Sequence, residues 1–381
     1  MSIRVGIIGC GGIAGQHARG YATCPDVEIV ACADISLERA QQFAAEFSVP
    51  RAYSDYRTML AHEKLDAVSV CTPNYAHCEP TVAALEAGVH VLCEKPMAMS
   101  VAEAQRMVEA AHRTKRMLTV GHHFRFVPFI RFIKRRIDEG LLGDIYFGRS
   151  HALRRRGVPG WGEFHIRDKS GGGPLIDIGV HALDCILWLM GSPQPVTVTG
   201  KTYTMFGNRT SFFSAWGEYK REDFDVEDFA VGFVRFSNGA TLSLAASWAA
   251  HIEENEDFSQ LVLGDRGGVM LRPFGVGAGV RILSSREEAL LDVIPSGFPE
   301  KHPHIEEIQH WVACLRGEAE ILVKPEECLN VQRIIEGVYR SSELGREMRV
   351  EELAPSRRAE PSRQQTASSS KNRGRGGRRR S

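Results

Sequence analysis

Apolar residues gather along the first 120 positions in short unbroken runs, and between the runs they recur at helical spacing. Ile3–Ile8, Val27–Ala33, Asp66–Cys71, Val89–Cys93 and Met117–Val120 read as strands buried on both faces. A helix follows the first run, and others are predicted over Leu37–Phe47, before Asp66, over 77–87 and from Val101. A short strand falls near Ala52. Gly88 stands where a helix end needs a residue at positive φ, and Ser100 with Glu103 has the spacing of a capping box. Strands alternating with helices in this way predict a doubly wound parallel α/β sheet.

After Val120 the pattern changes. A helix is predicted over Pro128–Glu139, ending at Gly140. Strand-like segments then follow one another at 145–153, 196–205, 229–236, 240–248, 258–263 and 280–283. Asn238-Gly239 between two of them predicts a type I′ hairpin. An amphipathic helix over Leu175–Met190 interrupts the strands, and two more close the region at about 303–316 and 325–344. This reads as an α+β domain with a large open, mostly antiparallel sheet. The expected division is a nucleotide-binding domain at 1–124, a substrate and oligomerisation domain at 125–354, and a tail at 355–381.

Composition changes the picture only at the tail. The 381 residues carry 47 basic and 47 acidic side chains, but nine basic residues and one acid lie in 355–381. The body therefore holds 38 basic and 46 acidic residues, a net charge of −8. The tail has no aliphatic side chain beyond alanine and is expected to be disordered, a solvated extension; nucleic-acid contact is expected only through it. The whole chain has 43% hydrophobic residues, no run of 18 apolar residues and no leader-like start, so a soluble cytoplasmic protein without membrane spans is expected. Nine cysteines form no C-x-x-C pair and suit a reducing compartment.

Candidate chemistry begins at the first turn. Gly9-Cys10-Gly11-Gly12-Ile13-Ala14 follows a strand and opens a helix, and Asp34 ends the second strand 25 residues after Gly9. This is the arrangement of a dinucleotide site. Gly9 permits the turn, Gly11 lets the backbone approach a pyrophosphate, and small Ala14 lets the helix pack closely on the strand; Gly12 and Ile13 complete the expected cofactor set at the helix amino end, which faces the phosphates. Asp34 suits a ribose 2′-hydroxyl and repels a 2′-phosphate, which favours NAD over NADP; Arg39, one helical turn on, softens that preference. Two further strands end in polar residues, Thr72-Pro73-Asn74 and Glu94-Lys95-Pro96, at the carboxyl edge where ligands of such sheets sit. In the second region, Gly171-Gly172-Gly173-Pro174 leads into a helix with Asp177 and His181 four residues apart on one face, and Asp184 three further. A histidine paired with an acid can act as a general base. No metal-ligand spacing is present.

In this order, Gly9–Ala14, Thr72-Pro73-Asn74 with His77, Glu94-Lys95-Pro96 and Gly172 to Asp184 resemble the Gfo/Idh/MocA oxidoreductase family over residues 3–350. The resemblance implies a Rossmann domain followed by an α/β domain whose open sheet supports a homodimer or homotetramer. It implies that Lys95 hydrogen-bonds the reacting hydroxyl, that His181 takes its proton and that Asp177 orients His181 or the sugar. It puts Thr72, Pro73, Asn74 and His77 against the cofactor and Glu94 at the nicotinamide end, and it counts Lys95 among the cofactor contacts as well. Arg154 to Gly162 is similar to members that oxidise the C3 hydroxyl of glucosides and anhydrosugars, with Trp161 and His165 against a pyranose. Arg125 is placed at the meeting of the domains, touching substrate or joining them, and His122 and His123 are read as structural. The expected activity is hydride transfer between NAD and a secondary alcohol of a sugar, glucoside, anhydrosugar or cyclitol. Alternatives are myo-inositol 2-dehydrogenase and a catalytically silent NAD-binding regulator.

Overall fold

A computed structural model describes residues 2–353 other than Val276; the basic tail lies outside the described residues. Six strands form the first sheet: β1 (Ile3–Ile8), β2 (Val27–Ala33), β3 (Ala52–Tyr53), β4 (Ala67–Val70), β5 (His90–Cys93) and β6 (Leu118–Val120). All pair in parallel, in the order β3-β2-β1-β4-β5-β6. Alternate residues feed two cores. Val5 and Ile7 join Ala14, Ala18 and Tyr21 of α1 (Gly12–Ala22), while Ile8, Val68 and Val70 join Met59, Leu85 and Met107. Apolar side chains are therefore needed on both faces, which is why the strands read as unbroken runs. The strand order reverses between β1 and β4, so the crevice lies beyond their carboxyl ends.

The helices of this half are α1, α2 (Leu37–Phe47), α3 (Tyr56–His62), α4 (Cys78–Glu86) and α5 (Val101–Thr114). Ser100 caps α5 through a bond from the Glu103 amide, but the Glu103 carboxylate reaches back to the Met99 amide, one residue before the expected box partner.

α6 (Pro128–Asp138) leads into the second sheet, which contains β7 (Ile145–Arg154), β8 (Pro195–Tyr203), β9 (Phe229–Phe236), β10 (Thr241–Ser247), β11 (Glu256–Asp257), β12 (Gln260–Gly264), β13 (Gly268–Arg272), β14 (Gly279–Arg286), β15 (Ala289–Val293) and β16 (Met348–Arg349). Its order is β15-β14-β13-β12-β7-β10-β9-β8-β16, with β11 on β7. One central pair, β7 and β10, is parallel, so the sheet is mixed. β15 is exposed along its whole length and lacks the alternation that would have marked it in the sequence. The β9–β10 turn is not type I′. Only Gly239 has positive φ, in the four residues 237–240 between the strands, where Asn238 Oδ1 accepts from the Ala240 amide.

Helical structure runs from the short α7 (Arg167–Ser170), through a wider π turn at Leu175–Gly179, into α8 (Val180–Leu189). The expected amphipathic helix is buried on every side, because it packs against β7, β12, α6 and α10 (Pro325–Leu344). The stretch Arg167–Leu189 is long and apolar enough to cross a membrane by composition, yet its most apolar 18 residues lie wholly inside the fold. α9 (Pro303–Leu315) returns to the first half, where Ile308, Trp311 and Val312 share a core with Val5 and Ile7. The nine cysteines are free and buried.

Candidate active site

The first wall of the crevice is built by the glycine turn. Gly9 has φ of +90°, and a Cβ there would sit 2.7 Å from the backbone of Cys71 and Thr72, so only glycine fits. Cβ positions at Gly11 and Gly12 meet nothing within 4 Å; the backbone there faces open space. A cleft of about 260 Å³ opens at this point, lined by Gly9, Gly11, Gly12, Ile13, Asp34 and Thr72-Pro73-Asn74, and facing Gly162 to Phe164 and Lys169 of the second half. Asn74 ties the halves together by donating from Nδ2 to the Ser170 carbonyl at 2.9 Å. The Asp34 carboxylate accepts from the amides of Cys10 (3.0 Å) and Ser36 (2.9 Å), and Arg39 Nη1 lies 3.8 Å from it. Free amides at a helix amino end, an open glycine backbone and an acid at the end of β2 fit a dinucleotide.

Next to this cleft, a second cavity of about 300 Å³ is lined by Lys95, Asp177 and His181 together with His123, Arg154, Trp161 and Trp216. Lys95 follows β5, and its Nζ lies 3.6 Å from Asp177 Oδ1. The other oxygen of Asp177 accepts from Trp248 Nε1 at 3.1 Å, and Trp248 is fully buried. His181 is buried and its Nδ1 has no partner among the described residues. Burial, then the charges of Lys95, His123, His122 and His304, hold its pKa well below the ordinary histidine value. Glu94 lies behind Lys95. Burial pushes its carboxyl up, but the hydrogen bond and charge of His17 and the charge of Lys95 outweigh burial and bring it down to about 2. His17 Nε2 is 2.8 Å from Glu94 Oε1, and His17 Nδ1 is 3.0 Å from Ser69 Oγ, so the glycine-turn helix holds the acid of the third strand end.

Two family patterns cover most of the chain: "Oxidoreductase family, NAD-binding Rossmann fold" over residues 3–122 and "GFO/IDH/MocA C-terminal domain" over residues 130–270. The chain is 34% identical over 344 residues to the D-glucoside 3-dehydrogenase of Escherichia coli (strain K12), covering 90% of this chain and 96% of that one. The protein belongs to the Gfo/Idh/MocA family of oxidoreductases. Similar members include the scyllo-inositol 2-dehydrogenase (NAD(+)) of Bacillus subtilis (strain 168), 27% identical over 87% of this chain and 91% of that one. Levoglucosan dehydrogenase in complex with NADH and levoglucosan has the same fold, with a TM-score of 0.78 at 23% identity over 92% of this chain and all of that one.

Within this Gfo/Idh/MocA fold, three residues expected at ligands lie elsewhere. Arg125 is fully buried: Nε and Nη2 bond the two Asp184 oxygens at 2.9 and 2.6 Å, and Nη1 bonds Glu327 and the Leu322 carbonyl. It joins the halves and does not face the crevice, and its guanidinium engages both oxygens of Asp184. His77 has both ring nitrogens against carbonyls, Pro96 at 2.6 Å and Thr72 at 2.8 Å, so it clamps two strand-end loops behind the cofactor cleft. His165 is buried beside Tyr219, 5.5 Å between centroids, and Phe164 takes the expected place at the cavity. Conversely, His123, read as structural, lines the cavity, stacked on His304 at 4.0 Å and edge-on to His181 at 4.8 Å. His122, Asp184 and Cys328 bring potential ligand atoms within 4.8 Å of one another, but the Arg125 guanidinium already occupies Asp184 there.

Trp216, Trp248, His17 and His304 were not singled out in the sequence. His17 was detectable, as a histidine on the otherwise apolar Ala14–Ala18–Tyr21 face of α1. The other three come from distant segments with no motif around them. The glycine run before Asp177 is explained by packing: a Cβ on Gly173 would lie 2.0 Å from the Glu227 carbonyl oxygen, and the Glu227 carboxylate accepts from the amides of Gly173 and Leu175.

Proposed function

We propose that the protein oxidises a secondary hydroxyl of a sugar ring, the C3 hydroxyl of a glucoside or anhydrosugar, with NAD as acceptor. The observation that carries this reading is the convergence of Lys95, Asp177 and His181 on one cavity beside the dinucleotide cleft. The glucoside 3-dehydrogenase similar over nearly the whole chain and the levoglucosan complex of the same fold support the choice of substrate.

When bound, the oxidised nicotinamide supplies the hydride acceptor. Lys95 donates a hydrogen bond to the reacting hydroxyl and stabilises the negative charge that grows on its oxygen. Asp177, held by Trp248, keeps the ammonium in position. The neutral imidazole of His181 accepts the proton. Trp161, half-exposed and stacked on Trp216 at 5.6 Å between centroids, offers an aromatic face to a pyranose.

The test is NADH formation with a panel of glucosides, anhydrosugars and inositols. Glucosides or anhydrosugars are expected to lead, and inositols leading would move the assignment to a cyclitol dehydrogenase. Repeating the best substrate with NADP should give a kcat/KM lower by about tenfold or more, because Asp34 meets the 2′-phosphate with like charge. Equal efficiency would place Arg39 in control of the ribose end.

His181 also sets a pH expectation. A base is active when unprotonated, and its depressed pKa keeps it so below the ordinary histidine range. The acid limb of kcat/KM should therefore fall below about pH 6.5. An acid limb above that value would remove His181 as the base.

A further inference from the structure

Arg154, the first of the Arg154-Arg155-Arg156 run, bounds the cavity beside Lys95. On its far side lies a cleft of about 480 Å³, larger than the cavity of about 300 Å³ that holds Lys95. Arg154 and Trp216 line both, so the two spaces share one wall. That wall is rigid: the Arg154 guanidinium lies 3.6 Å from the Trp216 ring centroid, and its Nε bonds Glu256 Oε1 at 3.1 Å. Beyond it the cleft is lined by Arg155, Arg156, Phe213 and Glu256. Glu256 is engaged by Arg154, whereas neither Arg155 nor Arg156 has a carboxylate within 4.0 Å among the described residues. Arg156 is fixed by donating to the carbonyls of Arg155 and Ala250, with Phe212 and Phe213 within 6 Å of its guanidinium. Phe213 is 63% exposed. The lining thus offers uncompensated positive charge on a frame fixed at Arg154 and Arg156, next to an exposed aromatic ring.

We propose that this cleft is a second subsite, which takes a negatively charged substituent of the sugar being oxidised. It rests on the sugar-oxidation reading above. The recognised chemistry is an anion, a carboxylate or a phosphate, held by guanidinium donors with an apolar spacer against Phe213 and Trp216. The natural substrate is then an acidic glycoside rather than a neutral monosaccharide.

The test compares phenyl glucoside with 4-carboxyphenyl and 4-phosphophenyl glucosides, both anomers of each. These share ring and spacer and differ in charge. Wild-type enzyme should favour one charged anomer by about tenfold in kcat/KM. Arg155→Ala, whose side chain is outside the catalytic machinery, should remove that preference and leave the neutral phenyl glucoside unchanged. Carboxylate and phosphate arms identify the anion by which shows the larger preference. Equal efficiency for charged and neutral probes in wild type, or a preference that survives Arg155→Ala and Arg156→Ala, overturns the subsite. If no glucoside is oxidised, the sugar reading fails, and the subsite is then judged by calorimetric binding of the same probes to the NADH-loaded enzyme. Charge-selective binding lost in Arg155→Ala supports it, and binding without charge selectivity overturns it.

Discussion

Lys95→Ala is expected to lower kcat by about 10²–10⁴ while the dissociation constant for NAD changes by no more than about threefold. The separation follows from the geometry. The cofactor cleft is lined by the glycine turn, Asp34 and the Thr72–Asn74 loop, and Lys95 is not among its walls. The Nζ instead meets Asp177 in the neighbouring cavity. In the proposed mechanism, loss of the ammonium removes the donor that stabilises the growing oxyanion. Single-turnover kinetics with NAD titrated separately by fluorescence resolve the two quantities. Near-normal turnover would remove Lys95 from the chemistry, and a loss confined to NAD affinity would make it a cofactor residue.

The largest stability effect is expected far from that cavity, at Arg125→Ala. Arg125 is fully buried between Asp184, Glu327 and the Leu322 carbonyl. Truncation leaves the Asp184 carboxylate, also fully buried, without its bidentate partner, at a cost of about 3–5 kcal/mol. Arg125→Lys should recover only part of this, because an ammonium cannot reproduce the fork. Urea unfolding with an unchanged m-value measures it. A loss below about 1 kcal/mol would show that the junction is held by the apolar contacts of α9 and α10 instead.

The glycine turn, Asp34, Lys95 and the Asp177–His181 pair were legible because each sits in a local pattern whose geometry is decided within a few residues. A strand end, a tight turn and a helix start place their side chains without reference to the rest of the chain. His77 and His165 were misjudged, and the choice between the two expected roles of Arg125 stayed open, for the opposite reason. Each is a polar residue near a motif, and whether it faces a ligand or a buried partner depends on segments up to 200 residues away, such as Glu327 for Arg125. His304 and Trp216 were invisible for the same reason, since they reach the cavity from segments that carry no motif.

The sequence by itself determined the parallel sheet, the dinucleotide turn and the local positions of Lys95, Asp177 and His181, because unbroken apolar runs, helical spacing and glycine stereochemistry are short-range constraints. The tertiary structure alone decided the partners. It set Arg125 on Asp184, stacked His123 on His304 beside His181, and placed Arg154 between two cavities. Those pairings are settled by long-range packing and by the demand that every buried charge find a counter-charge, and neither is written in local sequence.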